Sequence, residues 1–141
     1  MARRRSGGDG RTLDARVLVA DAHASDAFAL ATSLQGYGLT VDRAGTGDAA
    51  LAMATQAHYD AILVSSSLPG TGAESLCRRL REHCTRSNVV VMYETDPDAG
   101  ELTAAGADRW IRKPVDPAAF AEWLQGRPTI ADRHGDDRSP Q

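Results

Sequence analysis

The chain has 141 residues, of which 42% are hydrophobic and 25% charged, and its formal net charge is −3. This composition is typical of one folded globular domain. No run approaches about 18 apolar residues and no apolar segment follows Met1, so we expect no membrane span, no secretory signal and a cytoplasmic location. Residues 13–126 carry nine basic and fifteen acidic side chains. Because an acidic body does not suit a phosphate backbone, we expect no nucleic-acid partner, and we expect no membrane partner either.

Two polar segments flank the central part of the chain. Residues 1–13 contain four arginines among glycine and serine, and residues 127–141 are polar with balanced charge. Neither has a hydrophobic period, so we expect a disordered basic arm and a disordered polar tail around one domain at residues 14–126. The residues after Gly126 are too few to fold. Any further folded domain would therefore belong to a partner, unless the chain is part of a longer protein.

Within residues 14–126, short apolar runs alternate with longer segments of helical period. Runs that are apolar on both faces are typical of strands covered by helices on both sides. The predicted strands are residues 17–20, 39–41, 61–64, 89–92 and 110–111. The predicted helices are residues 26–35, 48–57, 74–84, 97–105 and 116–125. This alternation predicts an α/β fold with a parallel sheet and helices on both faces.

Three of the predicted helices begin with a capping signal. The stretch Thr71-Gly72-Ala73-Glu74 has the spacing of a capping box. Asp96-Pro97 and Asp116-Pro117 each place a carboxylate before a proline that suits the first helical position.

The polar residues that follow the predicted strands are the candidates for a functional site. In an open parallel sheet, ligands bind beyond the carboxyl ends of the strands. Asp21 follows the first strand, Ser65 the third, Tyr93 and Glu94 the fourth, and Lys113 the fifth. Lys113 is the only lysine in the chain.

Four stretches of the chain, in order, resemble the receiver domain of two-component response regulators. They are Val17-Leu18-Val19-Ala20-Asp21, Asp60-Ala61-Ile62-Leu63-Val64 with Leu68-Pro69-Gly70, Gly106-Ala107-Asp108-Arg109-Trp110, and Lys113-Pro114-Val115. The resemblance covers roughly residues 15–125. It implies a flavodoxin-like (βα)5 fold whose five parallel strands lie in the order 2-1-3-4-5.

The resemblance also implies a phosphorylation site, from which this chain departs. In the family, an aspartate that ends the third strand accepts phosphate from a histidine kinase, and two acidic residues after the first strand help to hold magnesium. Here Asp21 matches the first acidic position, Ala22 occupies the second, and Ser65 stands at the phosphoacceptor position.

Three further positions carry over from the family. Lys113 matches the lysine that contacts the phosphoryl group, and Trp110 matches the aromatic switch position. Tyr93 falls on the Ser/Thr position after the fourth strand, with Glu94 or Thr95 as alternatives.

The residues at these positions do not suit phosphoryl chemistry. Magnesium prefers oxygen ligands, and one of the family's three carboxylates remains. The hydroxyl of Ser65 is neutral and has no evident neighbouring base. The cysteines and histidines show no metal-ligand spacing. We therefore expect an aspartate-less pseudo-receiver that is not an enzyme and has no catalytic residue, no metal and no cofactor.

Some matched residues also have purely structural interpretations. Asp21 could cap the following helix, and Trp110 could be an ordinary core aromatic residue. Lys113 could neutralise Asp21, and we expect this ion pair across the strand ends. We also expect Ser65 to face a solvent-accessible cleft.

The expected function is bacterial signalling by protein–protein interaction, independent of phosphorylation. The resemblance implies a docking surface on the fourth helix, fifth strand and fifth helix, at residues 97–105, 110–112 and 116–125, with Phe120 and Trp123 as large apolar candidates. The partner would be a kinase, an output protein, a scaffold or a second copy of the chain. Two alternatives stay open: a receiver phosphorylated through an unorthodox arrangement, and a small-ligand sensor that reuses the degenerate cleft.

Overall fold

A computed structural model describes residues 15–69, 72–83 and 86–126. The strands are β1 (Arg16–Ala20), β2 (Thr40–Ala44), β3 (Ala61–Ser65), β4 (Asn88–Tyr93) and β5 (Arg109–Arg112). The helices are α1 (Ala24–Gln35), α2 (Gly47–Gln56), α3 (Ala73–His83), α4 (Ala99–Ala105) and α5 (Pro117–Gln125). The predicted tails at residues 1–13 and 127–141 lie outside the described residues.

The five strands form one parallel sheet in the order β2-β1-β3-β4-β5. This confirms the flavodoxin-like order 2-1-3-4-5. Because all strands run in the same direction, their carboxyl ends lie at one edge of the sheet, which is where polar residues follow the strands.

Helices cover the sheet on both faces. One core lies beneath α2, α3 and α4 and contains Leu18, Ile62 and Val64. The other lies beneath α1 and α5 and contains Val17, Val19 and Leu63. Successive residues of β1 and β3 therefore point into different cores, which explains why these runs are apolar on both faces. None of the helices in the described part of the chain has the length and apolar character needed to cross a membrane.

The edge strand β2 is longer and more polar than predicted, and it is tied to the sheet by a charged side chain. Asp42 accepts hydrogen bonds from Arg16 (3.1 Å) and from the hydroxyl of Tyr59 (2.7 Å). Burial and the neighbouring Asp42 raise the pKa of Tyr59 to about 12. Because β2 includes charged residues, it lacks the continuous apolar run from which buried strands are predicted.

The helix starts confirm one capping prediction and correct another. Asp116 caps α5, where its carboxylate accepts the N–H groups of Ala118 and Ala119. The prediction that Asp96-Pro97 begins the fourth helix is wrong: α4 begins two residues later, with Asp98 as its cap. Asp96 instead forms an ion pair with Arg112 on β5, so its carboxylate does not cap the helix. Thr71 of the predicted capping box lies outside the described residues.

Arg81 on α3 joins three parts of the fold. Its guanidinium donates to the carbonyl oxygens of Ser87 (3.0 Å) and Gly106 (2.9 Å) and pairs with the Asp108 carboxylate. Asp108 in turn accepts the N–H of Val89 (2.8 Å), at the start of β4. Gly106 ends α4 with a φ of 100°, and a Cβ there would meet Arg81 Cγ at 3.3 Å. The stretch Gly106-Ala107-Asp108 is therefore explained by packing around Arg81.

We expect Arg81→Met to lower the free energy of unfolding by about 2–3 kcal/mol, because it leaves a partly buried Asp108 and two carbonyl oxygens without their donor. Arg79→Met, on the exposed side of the same helix, is the matched control. Arg79 is exposed and forms an ion pair with the exposed Asp48 at 3.9 Å, so its replacement should change stability by no more than about 0.5 kcal/mol. Urea denaturation of both variants checks this, and equal effects would contradict the structural role of Arg81.

Candidate functional site

The candidate site lies at the carboxyl edge of the sheet, where three strands deliver one polar residue each. Asp21 follows β1, Ser65 ends β3 and Lys113 follows β5. The ammonium of Lys113 lies 2.9 Å from Asp21 Oδ2 and 3.1 Å from Ser65 Oγ. The predicted ion pair between Lys113 and Asp21 is therefore present, and the serine at the phosphoacceptor position shares the same ammonium.

Asp21 is held in place by its backbone and by both carboxylate oxygens. Its N–H donates to the carbonyl of Ala44 at the end of β2 (3.0 Å). Oδ1 accepts the N–H of His23 (3.0 Å), while Oδ2 accepts from Lys113. The helix-cap interpretation of Asp21 is not supported, because His23 is the N-cap residue of α1. Asp21 instead forms a local turn and an ion pair.

The electrostatics of Asp21 favour its charged form. Burial, with 4% of the residue exposed, by itself raises the pKa of this carboxyl. The hydrogen bond from the His23 N–H and the hydrogen bond and charge of Lys113 outweigh burial, so the pKa lies below its ordinary value of 3.8. Asp21 is therefore a buried carboxylate that its partners keep ionised.

Lys113 is fixed by the strand pairing that precedes it. Its N–H donates to the carbonyl of Tyr93 at the end of β4 (2.7 Å), which aligns the residue with the sheet edge. The peptide bond to Pro114 is cis. The side chain is 12% exposed and also lies 3.9 Å from Glu94 Oε2. Two carboxylates and one hydroxyl thus surround the ammonium.

The prediction that Ser65 faces a solvent-accessible cleft is wrong, because the residue is 0% exposed. Strand β3 lies in the middle of the sheet between β1 and β4, and all five of its residues are buried. The loop that follows folds back over its end: Ser67 Oγ lies 3.0 Å from Ser65 Oγ, and the Ser67 N–H donates to the same oxygen (3.3 Å). Lys113 closes the remaining side.

These contacts give the Ser65 hydroxyl no general base. Lys113 donates to Ser65 Oγ, and the hydroxyl of Ser67 is too weak a base to take its proton. Ala22 is exposed and offers a methyl group where the family has a second carboxylate. In the three described ranges, no group of three His, Cys, Asp or Glu side chains could hold a metal ion.

At the end of β4, the structure brings Glu94 rather than Tyr93 to the lysine. The ring of Tyr93 lies beneath the guanidinium of Arg112, whose central carbon is 5.1 Å from the ring centroid. Trp110 is half-buried and packs against the core beneath α2, α3 and α4. Trp110 thus has the packing of a core aromatic residue at the position that the family resemblance assigns to the switch.

Sequence reasoning missed two contributors to the site. Ser67 holds the hydroxyl of Ser65, and its only sequence signal is the serine run at 65–67. His23 supplies the backbone N–H to Asp21, and its ring Nδ1 lies 3.4 Å from Asp21 Oδ1. Backbone donors carry no residue-type signal, so only the fold reveals them.

We expect the parent protein to lose stability more steeply than Asp21→Asn as the pH falls below about 4. The native-state pKa of Asp21 is below 3.8, so in this range the unfolded chain binds more protons and acid favours unfolding. The stabilisation is present above the unfolded-state pKa and disappears as the pH falls through the native-state pKa. Denaturant titrations at a series of pH values check this. A parent-like slope in Asp21→Asn would contradict the assignment.

Comparison with known proteins shows the family to which this chain is related. The model of the response regulator receiver domain matches residues 17–125. The chain is 30% identical over 109 residues to the transcriptional regulatory protein ResD of Bacillus subtilis, covering 76% of this chain and 45% of ResD. It is 32% identical over 117 residues to the DNA-binding response regulator MtrA of Mycobacterium tuberculosis, covering 82% of this chain and 51% of MtrA. The chain thus spans about half the length of these relatives.

Solved structures show the same fold. A CheY-like receiver domain protein from Methanospirillum hungatei JF-1 superimposes with a TM-score of 0.76 at 20% identity, over 86% of this chain and 97% of that chain. The Vibrio cholerae chemotaxis protein CheY4 superimposes with a TM-score of 0.72 at 28% identity, over 79% and 97%. From the family match over residues 17–125, the identity to its relatives and the shared strand order, this chain belongs to the response regulator receiver domain family.

Proposed function

We propose that this receiver domain signals without phosphorylation, as a protein-interaction module of the bacterial cytoplasm that catalyses no reaction. The observation that carries the proposal is the position of the Lys113 ammonium, which lies within hydrogen-bond distance of both Asp21 and Ser65. The charges that remain at the site satisfy each other instead of holding a metal and a phosphoryl group.

The magnesium requirement argues against phosphorylation. Magnesium takes near-octahedral oxygen ligands and is usually anchored by one or two carboxylates. Asp21 is the one carboxylate of the family's set, and its two oxygens already accept from His23 and Lys113. A metal ion at Asp21 would have to displace an ammonium from a buried ion pair, and breaking such a pair is costly.

The acceptor chemistry argues in the same direction. An acyl phosphate requires a carboxylate, which Ser65 lacks. A serine phosphate would require removal of the hydroxyl proton, and the contacts of Ser65 are an ammonium and a second hydroxyl. Burial of Ser65 also keeps a phosphodonor away from its oxygen.

The docking surface that we propose is the α4–β5–α5 face, formed by residues 97–105, 110–112 and 116–125. Its large apolar residues have different roles: Phe120 is buried in the core, whereas Trp123 is half-buried, 5.6 Å from Phe120, with Arg109 stacked on it at 4.7 Å. A hollow of about 220 Å³ between β5 and α5 is lined by residues that include Arg109, Arg112 and Ala119. Stacked arginine and tryptophan side chains beside a hollow are typical of interaction anchors.

This face carries both acidic and basic side chains, so we expect a partner surface with charges of both signs. Asp98 and Glu101 lie at the start of α4, where Glu101 contacts Glu74 of α3, and the negative charges of Asp98 and Glu74 raise the pKa of Glu101. Arg109 and Arg112 lie on the β5 side. A basic surface against α4 would relieve the repulsion among these carboxylates. A kinase, an output protein, a scaffold or a second copy of this chain could supply it.

We expect the parent protein to gain no phosphoryl group from acetyl phosphate and magnesium, as measured by intact mass. The matched variant is Ser65→Asp with Ala22→Asp, which restores both missing carboxylates. Because the carboxylate introduced at position 65 would be buried beside Asp21, we expect a lower melting temperature without metal, partly offset by Lys113. Magnesium should raise the melting temperature of this variant and leave that of the parent unchanged.

The test depends on comparing the parent protein with the double variant. A stoichiometric gain of one phosphoryl group by the parent contradicts the proposal. A folded double variant that binds magnesium no better than the parent would show that the receiver positions have been misassigned.

The docking surface is tested with two matched substitutions at exposed helix positions. Ala119→Glu places a carboxylate in the hollow between β5 and α5, and Ala52→Glu makes the same change on α2. We expect Ala119→Glu to abolish partner capture from the native organism, or self-association in analytical ultracentrifugation, and Ala52→Glu to preserve it. Equal capture by both variants would rule out the α4–β5–α5 face.

One structural feature favours the alternative of a small-ligand sensor. A cavity of about 440 Å³ opens beside Asp21 and Lys113, and its lining includes Leu30, Met92 and Val115. Mostly apolar cavities with a few polar groups are typical of ligand sites. A thermal-shift screen against metabolites separates the two functions, because an interaction module should show no ligand-dependent shift.

A further inference from the structure

The cavity of about 440 Å³ at the carboxyl edge of the sheet is lined by two helical segments, and we call it the α1–α5 cavity. Its α1 wall consists of residues that the helical period places on one face of the helix: Asp26, Ala29, Leu30 and Ser33. Residues 114, 115 and 117, which lead from β5 into α5, form a second wall, and Met92 of β4 contributes from the sheet. This volume is within the range of about 300–1,000 Å³ that is typical of small-molecule sites.

The large apolar residues of this lining are more buried than two of its acidic residues. Met92 is 1% exposed, and Leu30 and Val115 are half-buried. Asp26 and Glu94 are exposed, so they lie where the cavity opens to solvent. A ligand that fills the α1–α5 cavity therefore places apolar atoms inside and meets carboxylates at the mouth.

The charges of the lining favour a cationic ligand. Three of its described residues carry carboxylates: Asp21, Asp26 and Glu94. The Lys113 ammonium offsets one of these charges and lies 2.9 Å from Asp21 Oδ2 and 3.9 Å from Glu94 Oε2. The start of α5 does not favour an anion, because the Asp116 carboxylate accepts its first N–H groups. The negative charge that remains unbalanced repels an anionic ligand and attracts a cationic one.

We propose that the α1–α5 cavity binds a small organic cation, in which an ammonium or guanidinium group is attached to an apolar body. The cationic group pairs with Asp26 and Glu94 at the mouth, and the apolar body packs inside against Leu30, Met92 and Val115. The inference rests on the small-ligand alternative of the proposed function, for which it names the class of ligand. It leaves the α4–β5–α5 face accessible, because residue 117 is the only described residue of the lining that belongs to that face.

Benzylamine is the probe that tests this ligand class, with two matched control compounds. Benzoate has the same ring and the opposite charge, and methylamine has the same charge without the ring. In NMR titrations of the full chain, we expect benzylamine to shift the methyl resonances of Leu30, Met92 and Val115, with a dissociation constant at least about tenfold lower than that of either control. Equal affinity for benzylamine and either control overturns the proposal, and so does benzylamine binding that leaves these three resonances unchanged.

A double substitution tests the carboxylates at the mouth. Asp26→Asn with Glu94→Gln removes both charges and should weaken benzylamine binding at least about tenfold. The matched control is Asp48→Asn with Glu82→Gln, which makes the same change of net charge at exposed positions of α2 and α3. This control should keep the parent's affinity within about twofold. Equal weakening by the two double variants would show that only the overall charge matters, which overturns the assignment to the α1–α5 cavity.

Failure of this inference is distinguishable from failure of the proposed function. If a neutral or anionic metabolite shifts the methyl resonances of the cavity while benzylamine does not, the cationic ligand class is overturned and the small-ligand alternative stands. If neither benzylamine nor any metabolite of the screen shifts them, both are overturned. The interaction module is tested separately, by partner capture with Ala119→Glu and Ala52→Glu.

Discussion

The burial of β1 and β3 on both faces is the constraint on which the rest of the structure depends. Every residue from Ala61 to Ser65 is buried, and so is every residue of β1 after Arg16. Strands of this kind must be parallel neighbours in the middle of a sheet, with helices above and below. Their carboxyl ends then meet at one edge, and Lys113 arrives there from β5. The ion pair between Asp21 and Lys113 is a consequence of this geometry, since a buried charge needs a partner.

The ion pair between Asp21 and Lys113 lies at the positions where the family holds magnesium and contacts the phosphoryl group. The lysine and the first acidic residue remain, while a methyl group and a hydroxyl replace the other carboxylates. Lys113 would face a phosphoryl group in the family; here its nearest oxygens belong to Asp21 and Ser65. Packing beneath the two layers of helices does not depend on the missing carboxylates, so the fold does not require them.

Away from the site, ion pairs and hydrogen bonds between side chains stabilise the less apolar parts of the sheet. Arg16 and Tyr59 hold Asp42 on the edge strand β2, and Arg81 holds the start of β4 and the end of α4 through Asp108 and Gly106. The stretch Gly106-Ala107-Asp108, which carries part of the family resemblance, is thus a packing motif: a left-handed glycine, a buried alanine and a paired carboxylate. Resemblance at these positions therefore indicates the fold and does not indicate phosphorylation.

The amino-acid sequence by itself determined the α/β alternation, because β1, β3 and β4 are apolar runs that only a doubly covered strand explains. It also determined which residues follow the strands, and so the members of the site. The edge strands β2 and β5 were predicted too short, because their alternating and charged residues owe their strand conformation to neighbours that are distant in sequence. The start of α4 was decided by tertiary pairing of Asp96 with Arg112. The burial of Ser65, and its enclosure by Ser67 and Lys113, arises from contacts across three strands and a loop, which no local pattern of residues encodes.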